Sequence, residues 1–165
     1  MVTMRLPVLF CGLFLPLAAH AACDGETYLD CTVENGRQLQ VCIGADAFTY
    51  RFGPAEAPEL ELSVPIAEGT ATPWPGVGGA IWSSIGFPVD GHVYEVWTSI
   101  DRNDADDAPP PSGGVNVLKG DETVAALTCQ SGTVSPAFTL EDALDARGWC
   151  WNYDSLEWLR KPACG

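Results

Sequence analysis

Positive charge is scarce in this chain of 165 residues: lysine and arginine number 8 against 22 aspartates and glutamates, a net charge of -14. That balance inverts the footprint of a nucleic-acid binder and offers no basic stripe to an anionic membrane surface. Histidine is scarcer still, with only His20 and His92, and no two cysteines stand in a C-x-x-C spacing. Zinc coordination and histidine-based nucleophilic catalysis therefore have few residues to draw on. No apolar run reaches the roughly 20 residues of a membrane span. Internal repeats and low-complexity tracts are also missing.

What is present begins with an export signal. In MVTMRLPVLFCGLFLPLAAHA, Arg5 supplies the positive start, Leu6 to Leu17 the apolar stretch and Ala19-His20-Ala21 a small-x-small cleavage site. Residues 1–21 are read as a signal peptide and 22–165 as one domain. Cys23 follows the site closely, but a lipid anchor calls for a leucine-like residue where His20 stands, so lipidation is disfavoured. The leader takes Cys11 with it and leaves Cys23, Cys31, Cys42, Cys129, Cys150 and Cys164. An even set in an exported chain reads as three disulfides, with 15 connectivities open.

Alternating apolar and polar residues, the mark of half-buried strands, recur along the chain. Leu29 to Ile43 reads as a hairpin around Glu34-Asn35-Gly36. A three-residue loop with Gly36 left-handed sets Leu29, Cys31, Val33, Leu39 and Val41 on one face and Cys42 on the other. Cys31 and Cys42 are therefore not expected to bond. Phe48 to Phe52 and Glu59 to Val64 are further strands, the second closed by Pro65. Ile81 to Val89 and His92 to Ile100 flank Asp90-Gly91, a two-residue hairpin turn that places Val89 opposite His92, Phe87 opposite Tyr94 and Ile85 opposite Val96. Val115 to Leu118 and Thr123 to Cys129 flank Gly120-Asp121, with Val117 expected opposite Val124.

A single short helix is expected over Pro136 to Arg147, with Ser135 or Thr139 as cap, Leu140, Ala143 and Leu144 inward and Gly148 as stop. Residues 130–165 then form a helix and a tail that a disulfide pins to the body. The whole is a mainly β domain, an antiparallel barrel or sandwich of about eight strands.

Candidate chemistry is thin. His92 sits at a hairpin corner, where a solvated strand end explains it. Glu59 and Glu61 lie on a strand's polar face. Asp101 to Asp107 echoes a calcium loop, but Ala105 lacks a ligand oxygen and Ser112 stands where the closing glutamate belongs, so a solvated acidic loop is preferred. Gly76-Val77-Gly78-Gly79 lacks the helix and basic residue of a phosphate loop. No cofactor is called for. The exception to this plainness is Thr70 to Ala80, too rich in proline and glycine for a regular element. There Pro73, Trp74, Pro75 and Gly76, with Trp82 just beyond, suggest a shaped binding loop with Trp74 as its exposed anchor.

Thr-Tyr-Arg-Phe-Gly-Pro at 49–54 with Pro-Glu-Leu at 58–60, Thr-Pro-Trp-Pro-Gly-Val-Gly at 72–78 with Ile81-Trp82, Cys129 and Cys150-Trp151 together resemble a group of uncharacterised exported proteins of alphaproteobacteria. The likeness covers most of the chain after the leader and implies export, but brings no activity with it. In outline the chain is also similar to lysozyme inhibitors of the C-type class. Their serine-glycine-rich loop has only Ser83-Ser84-Ile85-Gly86 as a counterpart, so that likeness is architectural. The reading is an exported, non-enzymatic binding domain for a basic protein, lysozyme-like in charge, or an envelope glycan. The alternatives are a carboxylate-dependent hydrolase of envelope polymers and a structural subunit of an envelope assembly.

Overall fold

The computed structural model describes residues 23–102, 108–136 and 140–164, so the expected signal peptide over 1–21 lies outside the described residues. All eight expected strands are present: β1 (Glu26–Thr32), β2 (Gln38–Ile43), β3 (Ala47–Gly53), β4 (Leu60–Pro65), β6 (Ala80–Val89), β7 (His92–Asp101), β8 (Ser112–Lys119) and β9 (Glu122–Thr128). Four short ones join them: β5 (Thr70–Thr72), β10 (Ser135–Pro136), β11 (Trp149–Asn152) and β12 (Glu157–Arg160). Neighbours pair antiparallel into one sheet of order β10-β1-β2-β3-β4, a second of order β5-β6-β7-β8-β9, and the β11-β12 hairpin. The chain thus meanders through one sheet, crosses between β4 and β5, and meanders through the other.

The pleat explains why the two sheets face each other. Leu29, Val41, Tyr50 and Leu62 stand opposite one another across the first sheet, and Ala71, Ile85, Val96, Val115 and Leu127 across the second. Period-two alternation turns each row to the same side, and the two apolar faces close on a shared core. Tyr50 packs tilted against Phe87 and Tyr94 across the interface. The outer face of the first sheet carries the complementary row Asp30, Gln40, Arg51 and Glu61.

Two departures from strict alternation matter. A bulge between Thr27 and Leu29 turns both Tyr28 and Leu29 inward, and both are fully buried. The Gly120-Asp121 turn forms as expected, but a second bulge sets Val117 opposite Ala125 instead of Val124, leaving Val124 in solvent. The slip costs little because β9 is an edge strand, largely exposed.

Closely paired strands leave no room for side chains at some positions. A methyl on Gly114 would collide with the Leu127 carbonyl and come within 3.3 Å of the Trp97 ring, whereas one on Gly79 would meet open space. Gly114→Ala is expected to destabilise the fold by about 1–3 kcal/mol, as overpacking does. Gly79→Ala should stay within about 0.5 kcal/mol of the parent. Thermal unfolding of the two variants side by side checks this.

The disulfides are Cys23–Cys42, Cys31–Cys129 and Cys150–Cys164. Cys31 and Cys42 do take different partners, as their opposite faces require. Cys31–Cys129 fastens the end of β1 to the end of β9, where Val33 bridges Cys129 and Gln130 N–H donates to the Thr32 carbonyl at 2.7 Å.

The helix α1 (Leu140–Ala146) is shorter than expected, because Ser135 and Pro136 pair with β1 as a strand; Thr139, the other proposed cap, lies outside the described residues. Leu140, Ala143 and Leu144 are buried, and Gly148 (φ 79°) ends the turn. Arg147 clamps the helix end to β2, donating to the carbonyls of Gly44 at 2.6 Å, Ile43 at 3.0 Å and Ala143 at 2.6 Å.

The tail also differs from expectation. Cys150–Cys164 closes the tail on itself and does not reach the body. The attachment is made instead by Trp158 Nε1, which donates to the Ala71 carbonyl at 2.7 Å, and by the buried Trp149 beneath the Arg160 guanidinium. Among the described residues no helix is long and apolar enough to cross a membrane.

Candidate functional site: two aromatic clefts beside β5

The loop between β5 and β6 gathers the predicted binding residues at one corner, but gives them unequal parts. Pro73 is buried and seats the loop. Trp74 is half-buried: its Nε1 donates to the Val77 carbonyl three residues on, at 3.1 Å, and the Arg102 guanidinium lies 5.1 Å from its ring centroid. The Arg102 backbone N–H also donates to the Gly79 carbonyl at 3.0 Å. Trp74 is therefore half-covered and held by its own loop, where the sequence suggests an exposed anchor. Pro75 and Gly76 are exposed, Gly76 at φ 81° as the tight turn requires. The outward apolar groups are Val77, 67% exposed, and Trp82, 38% exposed. Trp74 and Trp82 share a cavity of about 40 Å³ with Pro73, Ile81, Leu140 and Glu141.

A larger cleft of about 360 Å³ lies on the other side of this stretch, between β5 and the terminal hairpin. Thr70 and Thr72 form one wall, and Trp151, Leu156, Glu157 and Trp158 the other. The Trp151 and Trp158 rings sit 5.3 Å apart between centroids, inclined by 59°. Thr72 lines this cleft and its neighbour Pro73 the smaller one. Tyr153 Oη, hydrogen-bonded to Glu141 at 3.4 Å, ties the hairpin to the Trp74 corner. The alternation of Trp149, Trp151 and Tyr153 is legible in the sequence, but the returning strand that brings Trp158 beside Trp151 and Ala71 is not.

A third depression, of about 170 Å³, lies on the outer face of the first sheet under the loop 53–58. Its floor is the row Asp30, Gln40, Arg51 and Glu61, whose members pair among themselves: Gln40 donates to Asp30 at 3.1 Å, and Arg51 to Glu61 at 3.1 Å.

The catalytic candidates have little support around them. His92 is half-buried at its hairpin corner with Nδ1 3.1 Å from the Asp90 carbonyl oxygen. Glu59 and Glu61 face solvent and pair with Arg37 and Arg51. Among the described residues no carboxylate is buried, and a general acid kept protonated at neutral pH needs such desolvation. Inside the core, Tyr28 Oη lies 2.9 Å from Ser83 Oγ, and Thr98 Oγ1 completes a triangle of hydroxyls at 3.4 and 3.5 Å. Burial pushes the Tyr28 hydroxyl up to about 12, so the group stays a neutral donor. No group of three His, Cys, Asp or Glu side chains among the described residues is placed to hold a metal ion. Most of the supposed calcium loop, residues 103–107, lies outside the described residues.

The chain matches no protein-family model, no curated protein and no solved structure.

Proposed function

We propose that this protein is an exported, non-enzymatic binding domain that captures a basic protein, with Val77 and Trp82 at the Trp74 corner as its apolar contacts. The observation that carries the reading is what the domain does with its own cations. Arg37, Arg51, Arg147 and Lys161 are paired with Glu59, Glu61, Glu26 and Asp145, while Arg102 and Arg160 lie over Trp74 and Trp149. Carboxylates far outnumber these pairings and the exposed Lys119, so the net field reaching solvent is negative. Such a field accelerates encounter with a positively charged partner and rejects acidic ones, while an exposed tryptophan beside it supplies the desolvated contact that fixes the complex. The three disulfides fit the oxidising compartment that the leader and the resemblance to exported proteins imply.

Titration with a basic lysozyme is the test, with peptidoglycan as the competing ligand. Binding is expected at low ionic strength and should weaken steeply from about 0.01 M to about 1 M salt. Trp82→Ala should weaken it by about tenfold, the loss typical of a central interface aromatic. Lack of binding to lysozyme and to other cationic proteins, or a Trp82→Ala variant that binds as well as the parent, would refute the reading. Binding to peptidoglycan alone would move the assignment to a glycan.

A further inference from the structure

We propose that the cleft between β5 and the β11-β12 hairpin is a receptor for an arginine side chain of that basic partner. The inference rests on the reading above for the partner's charge, but concerns a separate set of residues. The chain itself shows the chemistry. The Arg102 guanidinium lies 5.1 Å from the Trp74 ring centroid, and Arg160 lies 4.0 Å from that of Trp149. The Trp151–Trp158 pair has no such cover among the described residues, and both rings are half-buried at the wall of the 360 Å³ cleft.

The cleft suits a guanidinium in three respects. Two indoles inclined at 59° line it, and a planar cation is attracted by the quadrupole of such a ring. Trp158 donates its in-plane N–H to the Ala71 carbonyl, which fixes the ring edge-on to the strand. Glu157 is in the lining and exposed, able to accept a guanidinium fork, while no lysine or arginine lines the cleft. Thr70 and Thr72 on the opposite wall add hydroxyl acceptors. The hairpin's own cations are engaged elsewhere, Arg160 donating to the Arg147 carbonyl and Lys161 pairing with Asp145. The competing occupant of an edge strand is an extended peptide adding to the sheet, but the Ala71 carbonyl at the middle of β5 is already taken by Trp158.

The test uses a capped glycine peptide carrying four arginines, its lysine counterpart and a chito-oligosaccharide, with binding read from the indole N–H resonances of the intact protein. The arginine peptide is expected to shift the Trp151 and Trp158 signals and to bind about fivefold or more tightly than the lysine peptide. Trp151→Leu, which keeps apolar bulk, and Glu157→Gln should each weaken it by about five- to thirtyfold, while Glu59→Gln on the other sheet leaves it unchanged. Near-ultraviolet circular dichroism establishes that each variant retains its packing. Equal binding of the two peptides, or equal losses from Glu59→Gln, would reduce the effect to general charge attraction and overturn the proposal. So would indole shifts caused only by the saccharide. If lysozyme binding depends on Trp82 and is indifferent to Trp151→Leu, the cleft assignment fails and the broader reading stands. If no basic protein binds, the broader reading fails, and the peptide series still decides what the cleft takes.

Discussion

Replacing Cys31 and Cys129 together by alanine is expected to lower the free energy of unfolding by about 4.7 kcal/mol, the loop-closure value for a crosslink spanning nearly 100 residues. This bridge has a sequence separation of 98, against 19 for Cys23–Cys42 and 14 for Cys150–Cys164. The same relation gives about 3 kcal/mol for each of the shorter loops, so the order of the three double variants is itself predicted. Position adds to length. Cys31–Cys129 holds the seam between the first and second sheets, where the alternative ties are the Val33–Cys129 bridge and a few backbone hydrogen bonds. Its loss frees one edge of the whole meander, whereas loss of Cys150–Cys164 frees only a hairpin that Trp158 still pins to Ala71. Urea unfolding of the three double variants at one pH, compared by midpoint and slope, measures this. A Cys150→Ala/Cys164→Ala variant as unstable as the Cys31→Ala/Cys129→Ala variant would show that the seam is held by something other than the crosslink.

That bridge also marks where the sequence stopped being informative. Hairpin registers are local: Gly36 (φ 80°), and Asp90 with Gly91 (φ 47° and 74°), adopt the left-handed geometry their turns need. The strands beside them then pair as alternation dictates, Leu29 with Val41 and Phe87 with Tyr94. Which cysteine meets Cys31 is not local, because it depends on β9 returning to the end of β1 after two sheets have been laid down. The same limit hid the tail. Nothing near Trp158 announces a bond to Ala71, 87 residues earlier, and without that bond the aromatic alternation of 149–153 reads as part of a pinned tail instead of the wall of a cleft. Bulges are a different blind spot. The extra residue at Tyr28 and the slip at Val124 each break the period of two at a single position, and no turn residue signals either. At Trp74 the surroundings correctly read as a shaped loop. Arg102, which covers the ring, arrives from the far end of a hairpin and could not be placed beside it.

Alkaline pH is expected to unfold this protein through its buried tyrosines. Tyr28 is held well above the ordinary phenol value of 10.0, up to about 12, chiefly by burial, with opposing contributions from its hydrogen bonds to Ser83 and Thr98. Tyr50 is raised in the same direction, again by burial first and by Tyr94 second. A phenol that ionises later in the folded state than in the unfolded chain contributes stability that is fully present below pH 10. Above it the unfolded chain releases its proton first and the native state does not follow until the higher value is reached. The slope approaches about 1.4 kcal/mol per pH unit for each such tyrosine between its two values, so Tyr28 alone accounts for a loss of roughly 2 kcal/mol between pH 10 and 12. With Tyr50 acting alongside, the slope approaches twice that. Tyr28→Phe should lower stability at neutral pH by about 1 kcal/mol, since Ser83 and Thr98 keep each other at 3.4 Å, yet flatten the alkaline slope by one proton. Tyr50→Phe, whose phenol makes no side-chain hydrogen bond among the described residues, should flatten it by the same amount at less neutral cost. Unfolding free energies measured from about pH 8 upward for the parent and both variants separate the two residues. Unchanged slopes in both would place the alkaline sensitivity outside the core. A flattened slope in Tyr28→Phe would fix the hydroxyl triangle between the sheets as a group that must stay neutral for them to remain packed.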